Sequence, residues 1–474
     1  MKKLFIYSTV VLLGVSSCTK DINSLNENTK APEEVPPGML FANAQKELFR
    51  YDATPNVNEN TLRLWSQHWT QTTYTDESNY ELIERNINGR VFNALYTNVL
   101  RDLNEARIFI EADALLSDAD KATQGAMITL MEAYTYHILV DLFNDVPYTE
   151  AIGLLEKLNP VYDDAESVYR DLISRIDGAV SALNGSGSSG DLGGSDLIYS
   201  GSEMSWAEFG NSLKLKLALR MADVAAGDAQ GWAEAAISSG VLSSSSSNAV
   251  INFEGGVPNT NPLWEDLVQS GRTDFVASQT LGDILNTQND PRRAYYFRAL
   301  DSLGNVVGNP HGAGGAYNNF SQPGDMLDDP TMAHWIMSYD EVLFMKAEAA
   351  ARGWNAGGTA EDHYNNALQE SVMLWTGAGT SDSTFLAETA YDANNWKNVI
   401  GTQKWVAMYN RGFEAWSTWR LYDAPTMAVA AEAGTVPPTR YNYSVDEYSV
   451  NSDNVSAANS GNDNVMDKVF WDVN

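Results

Sequence analysis

Apolar residues recur along most of the chain at the spacing of helices that bury one face. In residues 90–111 they lie three and four positions apart, and the same spacing returns in residues 123–143, which end shortly before Pro147. A period near 3.6 residues is typical of an amphipathic helix. The pattern therefore predicts two helices here, and we expect them to pack against each other as a hairpin.

Five further segments have the same helical spacing. Ser205 with Glu208, and Ser338 with Glu341, place a hydroxyl and a carboxylate three residues apart at the start of two of them. This arrangement is typical of a capping box, in which the two side chains bond free backbone amides at the start of a helix. The predicted helices cover residues 163–183, 205–223, 338–353, 361–375 and 395–421.

The recurrence of helix pairs indicates the architecture. Helical pairs that each bury an apolar face on the next are typical of tetratricopeptide-like arrays. The sequence therefore predicts an all-α, tetratricopeptide-like helical-repeat body in a single domain, residues 38–474. Long irregular insertions separate the pairs, and insertions of this kind often carry binding. They cover residues 184–201, 241–283 and 301–333 and the tail from residue 425.

Charge excludes one class of partner. The chain has 62 acidic residues against 30 basic ones, a formal net charge of −32. Such a field repels the phosphate backbone of nucleic acids and anionic membrane surfaces. With 13 Trp and 22 Tyr, the chain is instead able to stack aromatic rings on neutral ligands, although most of these rings are expected in the core.

The first 17 residues have the three parts of a secretory signal peptide. Lys2 and Lys3 form a basic start, residues 4–15 are apolar, and small residues precede Cys18. The apolar stretch is too short for a membrane-spanning helix. Residues 15–18, Val-Ser-Ser-Cys, resemble the lipobox of bacterial lipoproteins, in which cleavage leaves the cysteine as the acylated N-terminus.

This resemblance implies a lipoprotein held to a membrane by acyl chains such as palmitate on Cys18. Two or more acyl chains anchor a protein stably in a membrane, whereas a single acyl chain anchors it only marginally. Because Cys18 is the sole cysteine, no disulfide can form within the chain. Residues 18–37 are predicted to be the lipidated cysteine and a flexible polar tether. Lys20-Asp21 resembles a signal that directs such lipoproteins to the outer cell surface.

Several blocks of sequence, in order along the chain, resemble the SusD/RagB family of outer-membrane lipoproteins, in particular its SusD-like 2 branch. Two of the blocks are YHILVDLFNDVPY at residues 136–148 and NSLKLKLALR at residues 211–220. Further blocks lie at residues 289–292, 338–349 and 403–420. The resemblance implies a helical fold and a position over a SusC-like TonB-dependent outer-membrane channel. Most members bind oligosaccharides and some bind peptides, but the family transfers no binding residue by motif.

Three segments mix aromatic rings with amide or hydroxyl side chains, as a glycan site requires. They lie at residues 65–74, 261–264 and 317–320. Trp65 and Trp69 are four residues apart and are expected on one helix face. The alternative is that these aromatic residues belong to the core or anchor their loops. The candidate ligand-binding residues are Trp65, Trp69, Tyr74, Trp264, Tyr317 and Phe320.

Sequence motifs for catalysis are nearly absent. Gly185, Gly187 and Gly190 spell a dinucleotide fingerprint, but they follow a helix rather than a strand, so no cofactor is expected. Acidic neighbours such as Asp163 and Asp164 could in principle act as a glycosidase pair. Three acidic residues, Asp325, Asp328 and Asp329, could gather around a calcium ion or could form a solvated acidic turn. We do not predict a metal site from them.

These observations favour a non-enzymatic, cell-surface lipoprotein that captures oligosaccharides and delivers them to a SusC-like transporter. Three alternatives remain. The same architecture could bind peptides, the chain could be a glycoside hydrolase, or the helical repeats could serve only as a scaffold for the channel.

Overall fold

The computed structural model describes residues 35–152, 157–185 and 192–473. The predicted signal peptide, Cys18 and most of the tether lie outside these residues. Helices dominate the described chain, as predicted. They are α1 (Pro37–Ala53), α2 (Leu62–Trp65), α3 (Ile87–Asn93), α4 (Arg101–Ala112), α5 (Asp118–Phe143), α6 (Ala165–Gly185), α7 (Glu203–Arg220), α8 (Ala226–Ser239), α9 (Pro262–Trp264), α10 (Gln279–Thr287), α11 (Arg293–Tyr296), α12 (Tyr339–Ala351), α13 (Ala360–Thr376), α14 (Ser383–Glu388), α15 (Trp396–Ala407), α16 (Gly412–Tyr422), α17 (Val445–Val450) and α18 (Ser452–Ala458).

Short antiparallel strand pairs join segments that are far apart in sequence. Each described sheet has two strands. The pairs are β1 (Trp69–Gln71) with β5 (Phe275–Ala277), β2 (Val146–Pro147) with β3 (Tyr162–Asp163), β4 (Ala249–Ile251) with β8 (His334–Met337), and β6 (Phe297–Arg298) with β7 (Gln322–Pro323).

The helices pack as successive pairs. Helix α5 packs on α6, α6 on α7 and α7 on α8, while α12 pairs with α13 and α15 with α16. This arrangement confirms the predicted all-α, tetratricopeptide-like body. Helix α5 begins at a capping box in which Ser117 Oγ accepts from the Asp120 amide at 3.1 Å. Its residues from Thr123 to Phe143 are buried on nearly all sides, because α4, α6 and α7 surround it.

A π-helical segment, Ala94–Leu100, joins α3 to α4, so the helix predicted over residues 90–111 is present with one change of winding. Its packing on α5 confirms the predicted contact between the two elements. Among the described residues, no helix is both long and apolar enough to cross a membrane.

Three of the helix predictions are wrong in detail. The single helix predicted over residues 395–421 is two helices, because Asn410 takes a left-handed backbone (φ 67°) between α15 and α16. The predicted capping boxes are absent. Helix α7 starts earlier, where Ser202 Oγ accepts from the Ser205 amide at 3.3 Å. At α12 the Ser338 hydroxyl instead donates to Asp340.

A network of buried charges ties α7, α12 and α16 together. Lys216 pairs with Glu341 at 2.9 Å and also with Glu414, and Arg411 pairs with Glu341 at 2.7 Å. Burial alone would raise the pKa of Glu414, but Lys216 and Arg220 outweigh that effect and lower the pKa to about 2. The network explains why polar residues of α7 lie in the core: each charge there has an opposite partner.

Candidate functional site

Trp65 is a core residue, so its predicted role in binding is wrong. Its side chain has no exposed surface. The ring makes edge contacts with Tyr80, Trp416 and Tyr441 at centroid distances of 5.9, 5.8 and 4.8 Å. The indole therefore packs against neighbouring elements and presents no face to a ligand. This is the core role that the sequence analysis gave as the alternative.

Trp69 is also buried, and the prediction that it stacks on a ligand is likewise wrong. It is 1% exposed, its indole nitrogen donates to Tyr409 Oη at 2.9 Å, and its ring packs on Phe275. The expected helix face shared with Trp65 does not exist. Helix α2 ends at Trp65, Gln67 takes a left-handed backbone (φ 55°), and Trp69 begins β1.

Tyr74 has the opposite environment and lies at the rim of a cleft. Its side chain is 73% exposed, and its φ of 56° is an unusual left-handed value for a bulky residue. Strained backbone of this kind is found preferentially at functional sites. The cleft has a volume of about 600 Å³ and is here called the Tyr74 cleft; it is lined by Thr73, Tyr74, Arg85, Asp266, Ser270, Gly271, Arg272, Thr273 and Asp274.

The charges of the Tyr74 cleft are balanced within the protein. Arg272 donates to both oxygens of Asp274, at 2.6 and 3.0 Å, and lies 3.5 Å from Asp266. Arg85 pairs with Glu77 at 3.1 Å. Burial raises the pKa of Asp266, and Arg272 offsets only part of that effect. Because each arginine already has a carboxylate partner, the cleft is polar but offers no unpaired cation to an acidic ligand.

The segment that carries Tyr317 and Phe320 lies against the strand that precedes Tyr74. The Gly315 amide donates to the Thr72 carbonyl at 2.9 Å. Both aromatic side chains are half-buried, and a Cβ on Gly315 would lie 2.7 Å from the Phe320 ring. The ring of Phe320 therefore covers the Gly315 backbone, which is the loop-anchoring role considered above. The structure brings this segment and Tyr74 to one region of the surface.

Trp264 ends α9 and is half-buried. The π-helical segment Glu265–Gln269 follows it directly and supplies Asp266 to the Tyr74 cleft. Trp264 is thus two positions from a residue of the cleft, but it is not itself part of the lining.

Two amide side chains that the sequence analysis did not single out bond backbone from distant segments of the chain, and one of them, Asn79, does so beside Tyr74. Asn79 Nδ2 donates to the carbonyls of Thr75 and Gly312, both at 2.9 Å, and its Oδ1 accepts from the amides of Glu432 and Ala433 at 2.9 and 3.0 Å. One side chain therefore bonds backbone from three separate segments.

Gln67 also bonds residues from distant segments of the chain. Its Oε1 accepts from Thr280 Oγ1 at 2.6 Å and from the Ala428 amide at 2.9 Å, and its Nε2 donates to the Ala428 carbonyl at 2.7 Å. Apart from the bond between Asn79 and Thr75, these partners lie more than two hundred positions away, so the local sequence gives no signal for the bonds.

Replacing Asn79 with alanine is expected to loosen the segments beside Tyr74. Loss of the side chain leaves the Gly312 carbonyl and the amides of Glu432 and Ala433 without their partner, and each such hydrogen bond contributes about 0.5–1 kcal/mol net. Hydrogen–deuterium exchange should therefore be faster at the two amides. Asn318→Ala, which changes an exposed asparagine of the neighbouring loop, is the matched control. Equal exchange in the two variants would contradict this role for Asn79.

The acidic group at residues 325–329 has protein partners. Arg298 pairs with Asp325 at 3.2 Å and also with Asp328, while Asp329 Oδ1 accepts from the Thr331 amide and hydroxyl, both at 2.8 Å. In the ranges that the structure describes, no group of three or more His, Cys, Asp or Glu residues could hold a metal ion. This arrangement favours an acidic turn over a calcium site.

Comparison with known proteins identifies the family. The sequence model of the SusD-like_2 family, described as starch-binding and associating with the outer membrane, matches residues 29–444. The chain belongs to this family. The SusD-like proteins are binding proteins associated with the outer membrane, so glycan binding is the function of the family to which this chain belongs. No curated protein matches the sequence significantly.

Solved SusD-like structures share the fold over almost the whole chain. A chitin-binding protein aligns with a TM-score of 0.79 and 25% identity, covering 92% of this chain and 100% of its own. A chitin-binding SusD homolog from Flavobacterium johnsoniae aligns with a TM-score of 0.77 and 24% identity over 92% and 99%. A SusD homolog from Bacteroides uniformis aligns with a TM-score of 0.76 and 23% identity over 91% and 99%.

Proposed function

We propose that this SusD-like protein captures an uncharged oligosaccharide at the Tyr74 cleft. The observation that carries the proposal is Tyr74 itself, whose largely exposed ring stands at the rim of a polar cleft in an unusual backbone conformation. An exposed ring of this kind gives a sugar a face on which to stack, and the hydroxyls and paired charges of the lining can bond its hydroxyl groups.

The charge of the site supports a neutral ligand. Arg85 and Arg272 are matched by Glu77, Asp266 and Asp274, and the chain as a whole carries a formal charge of −32. An acidic glycan would meet a repulsive field without an unpaired cation to offset it. A similar protein binds chitin and the family is described as starch-binding, and both of these glycans are consistent with a neutral ligand.

Tyr74→Ala is expected to weaken glycan binding about tenfold, because an exposed aromatic anchor in an interface is commonly worth more than 1 kcal/mol. Calorimetry with chito- and malto-oligosaccharides on the chain without its leader would measure this. Met204→Ala is the matched control: Met204 is 72% exposed and does not line the Tyr74 cleft, so its loss should leave the affinity unchanged.

Other outcomes of this experiment separate the alternatives. Glycan binding that survives Tyr74→Ala at full strength would contradict the proposed site. Binding of peptides but of no glycan would favour the peptide-binding alternative, and release of new reducing ends from a bound glycan would favour a hydrolase. The proposed function requires that the protein bind a glycan saturably and leave the glycan chemically unchanged.

The proposal extends to delivery. The captured glycan is passed to a SusC-like TonB-dependent channel in the outer membrane, and the protein is tethered there through acylated Cys18 with its body facing the cell exterior. The lipobox-like sequence before Cys18 and the family's association with the outer membrane support this arrangement.

Cys18→Ser is expected to release the protein from membranes, because the serine hydroxyl does not replace the thiol to which the anchor is attached. Fractionation of cells should find the wild type in the outer-membrane fraction and the variant in soluble fractions. A variant that stays in the outer membrane after a wash at high salt would contradict the lipid anchor, because salt screens purely electrostatic attachment.

A further inference from the structure

A small pocket apart from the Tyr74 cleft contains two acidic side chains without cationic partners. It has a volume of about 260 Å³ and lies where the start of α12 meets α13 and the segment before β4. Asp340 and Glu370 both line it, together with Tyr339, Met373 and Leu374. We call it the Asp340 pocket. It shares no lining residue with the Tyr74 cleft.

The carboxylate of Asp340 is half satisfied. The residue is 3% exposed, and its Oδ1 accepts from the Ser338 hydroxyl and from the Glu341 amide at 3.0 Å. Its Oδ2 is buried and has no hydrogen-bond partner among the described residues. A buried carboxylate oxygen without a partner is costly, and it marks a place where a bound group would complete the bonding.

Among the described residues, other buried acids have an ion-pair partner or, like Asp196, hydrogen bonds to both carboxylate oxygens. Asp290 pairs with Arg292 at 2.6 Å, and Glu348 pairs with Arg352 at 2.9 Å. Glu370, by contrast, has no ion-pair partner in the described part of the chain. Burial raises the pKa of Glu370, and the negative charge of Asp340 raises it further. The two carboxylates therefore disfavour each other's charge, and a cation between them would remove that cost.

The guanidinium of Arg411 does not fill this role, although its charge offsets part of the rise that burial causes in the pKa of Asp340. Arg411 donates to Ser338 Oγ at 3.0 Å and to Glu341 at 2.7 Å, so its bonds go to the neighbours of Asp340 and leave Oδ2 without a donor.

We propose that the Asp340 pocket binds a primary ammonium group carried on a short hydrocarbon stem. The ammonium donates to Asp340 Oδ2 and to the Glu370 carboxylate, and the stem lies along Met373 and Leu374. An ammonium is a compact cation with three donors, which suits two carboxylates that approach from different helices. A guanidinium is less well suited to Asp340, because two-pronged bonding would use both of its oxygens and Oδ1 already accepts two hydrogen bonds.

A divalent metal fits less well. Calcium requires six to eight oxygen ligands, and the described residues contain no group of three or more potential metal-binding side chains. The apolar side chains of Met373 and Leu374 in the lining also favour a ligand with methylene groups over a bare ion. The ammonium could belong to a lysine side chain of a partner protein or to a free amine such as an amino sugar.

The test is a calorimetric titration of the mature chain, carrying Cys18→Ser so that it has no lipid, with n-butylammonium and with neutral 1-butanol. We expect saturable binding of butylammonium and none of butanol. Glu370→Gln should weaken binding about tenfold, because a charge-assisted hydrogen bond becomes a neutral one. Glu370 is half-buried and its replacement is nearly isosteric, so the variant is expected to fold. Asp340→Asn, which retains Oδ1, provides a second variant with the same expected loss.

Glu361→Gln is the matched control, because Glu361 is exposed near the start of the same helix and does not line the pocket. The proposal is overturned if butylammonium fails to bind at pH 7 and at pH 8, if Glu370→Gln binds it as the wild type does, or if calcium binds instead with the same loss in both variants. Titration with Nα-acetyl-lysine methylamide and with glucosamine then distinguishes the two sources, since the better-fitting stem binds more tightly.

Discussion

Replacing Lys216 with methionine is expected to destabilise the protein by about 3–5 kcal/mol, because it leaves buried carboxylates without a principal partner. The Lys216 side chain is 2% exposed, and its amine bonds Glu341 and Glu414, which are 0% and 3% exposed. Arg220 and Arg411 remain nearby, but each already serves one of these acids. Chemical denaturation of the two purified proteins, followed by circular dichroism, would measure the difference.

Two comparisons make this result specific. Lys157→Met removes an ion pair of 2.6 Å whose lysine is 53% exposed, and this should cost less than about 1 kcal/mol. The double variant Lys216→Met with Glu414→Leu removes a charge of each sign and should recover part of the loss. If Lys216→Met costs no more than Lys157→Met, the buried network does not stabilise the fold as we describe.

Replacing Arg63 with methionine is expected to cost a similar amount, about 3–5 kcal/mol, through several lost hydrogen bonds. The guanidinium is buried and donates to the carbonyls of Thr54, Ala53 and Asn410, each at 2.8 Å, and to Asn410 Oδ1 at 3.1 Å. It therefore bonds the carbonyls at the end of α1 and the break between α15 and α16. Burial lowers the pKa of Arg63 to about 10, so it stays charged at neutral pH.

The same variant should also weaken glycan binding. The Arg63 guanidinium lies 5.8 Å from the ring of Trp69, and Trp69 begins the segment that leads to Tyr74, so loss of Arg63 is expected to disturb the position of Tyr74. Arg101→Met is the control: this side chain is 53% exposed and contacts Asp102 at 3.5 Å, so its loss should cost less than about 1 kcal/mol. Wild-type stability in Arg63→Met would show that water replaces the guanidinium at these carbonyls.

The helices were predictable because their signal is local. The segments predicted at residues 123–143 and 361–375 fall inside α5 and α13, whose apolar spacing repeats every turn. The break near Asn410 was not predictable in this way. Helical spacing continues on both sides of it, and the left-handed backbone at Asn410 lies where Arg63, some 350 positions earlier, bonds this residue.

At the candidate site, too, the local sequence predicted some features and only distant contacts decided others. The segment from Trp65 to Tyr74 contains the aromatic and amide residues expected of a glycan site, but only Tyr74 among its three candidate aromatics is exposed. Trp65 and Trp69 are equally aromatic and lie in the same stretch. They are buried because β1 pairs with β5 and because α16 packs on α2, contacts made by residues two hundred or more positions away.

The sequence by itself determined the all-α class, the helix pairs and the family, because periodic apolar spacing and blocks of motif are properties of neighbouring residues. It also determined the acidic charge that disfavours nucleic acid. The tertiary structure alone decided which aromatic rings remain exposed, where the Tyr74 cleft forms, and which distant segments Asn79 and Gln67 bond. Burial and hydrogen bonding at these positions depend on partners distant in sequence, and no local pattern records which distant segments will meet.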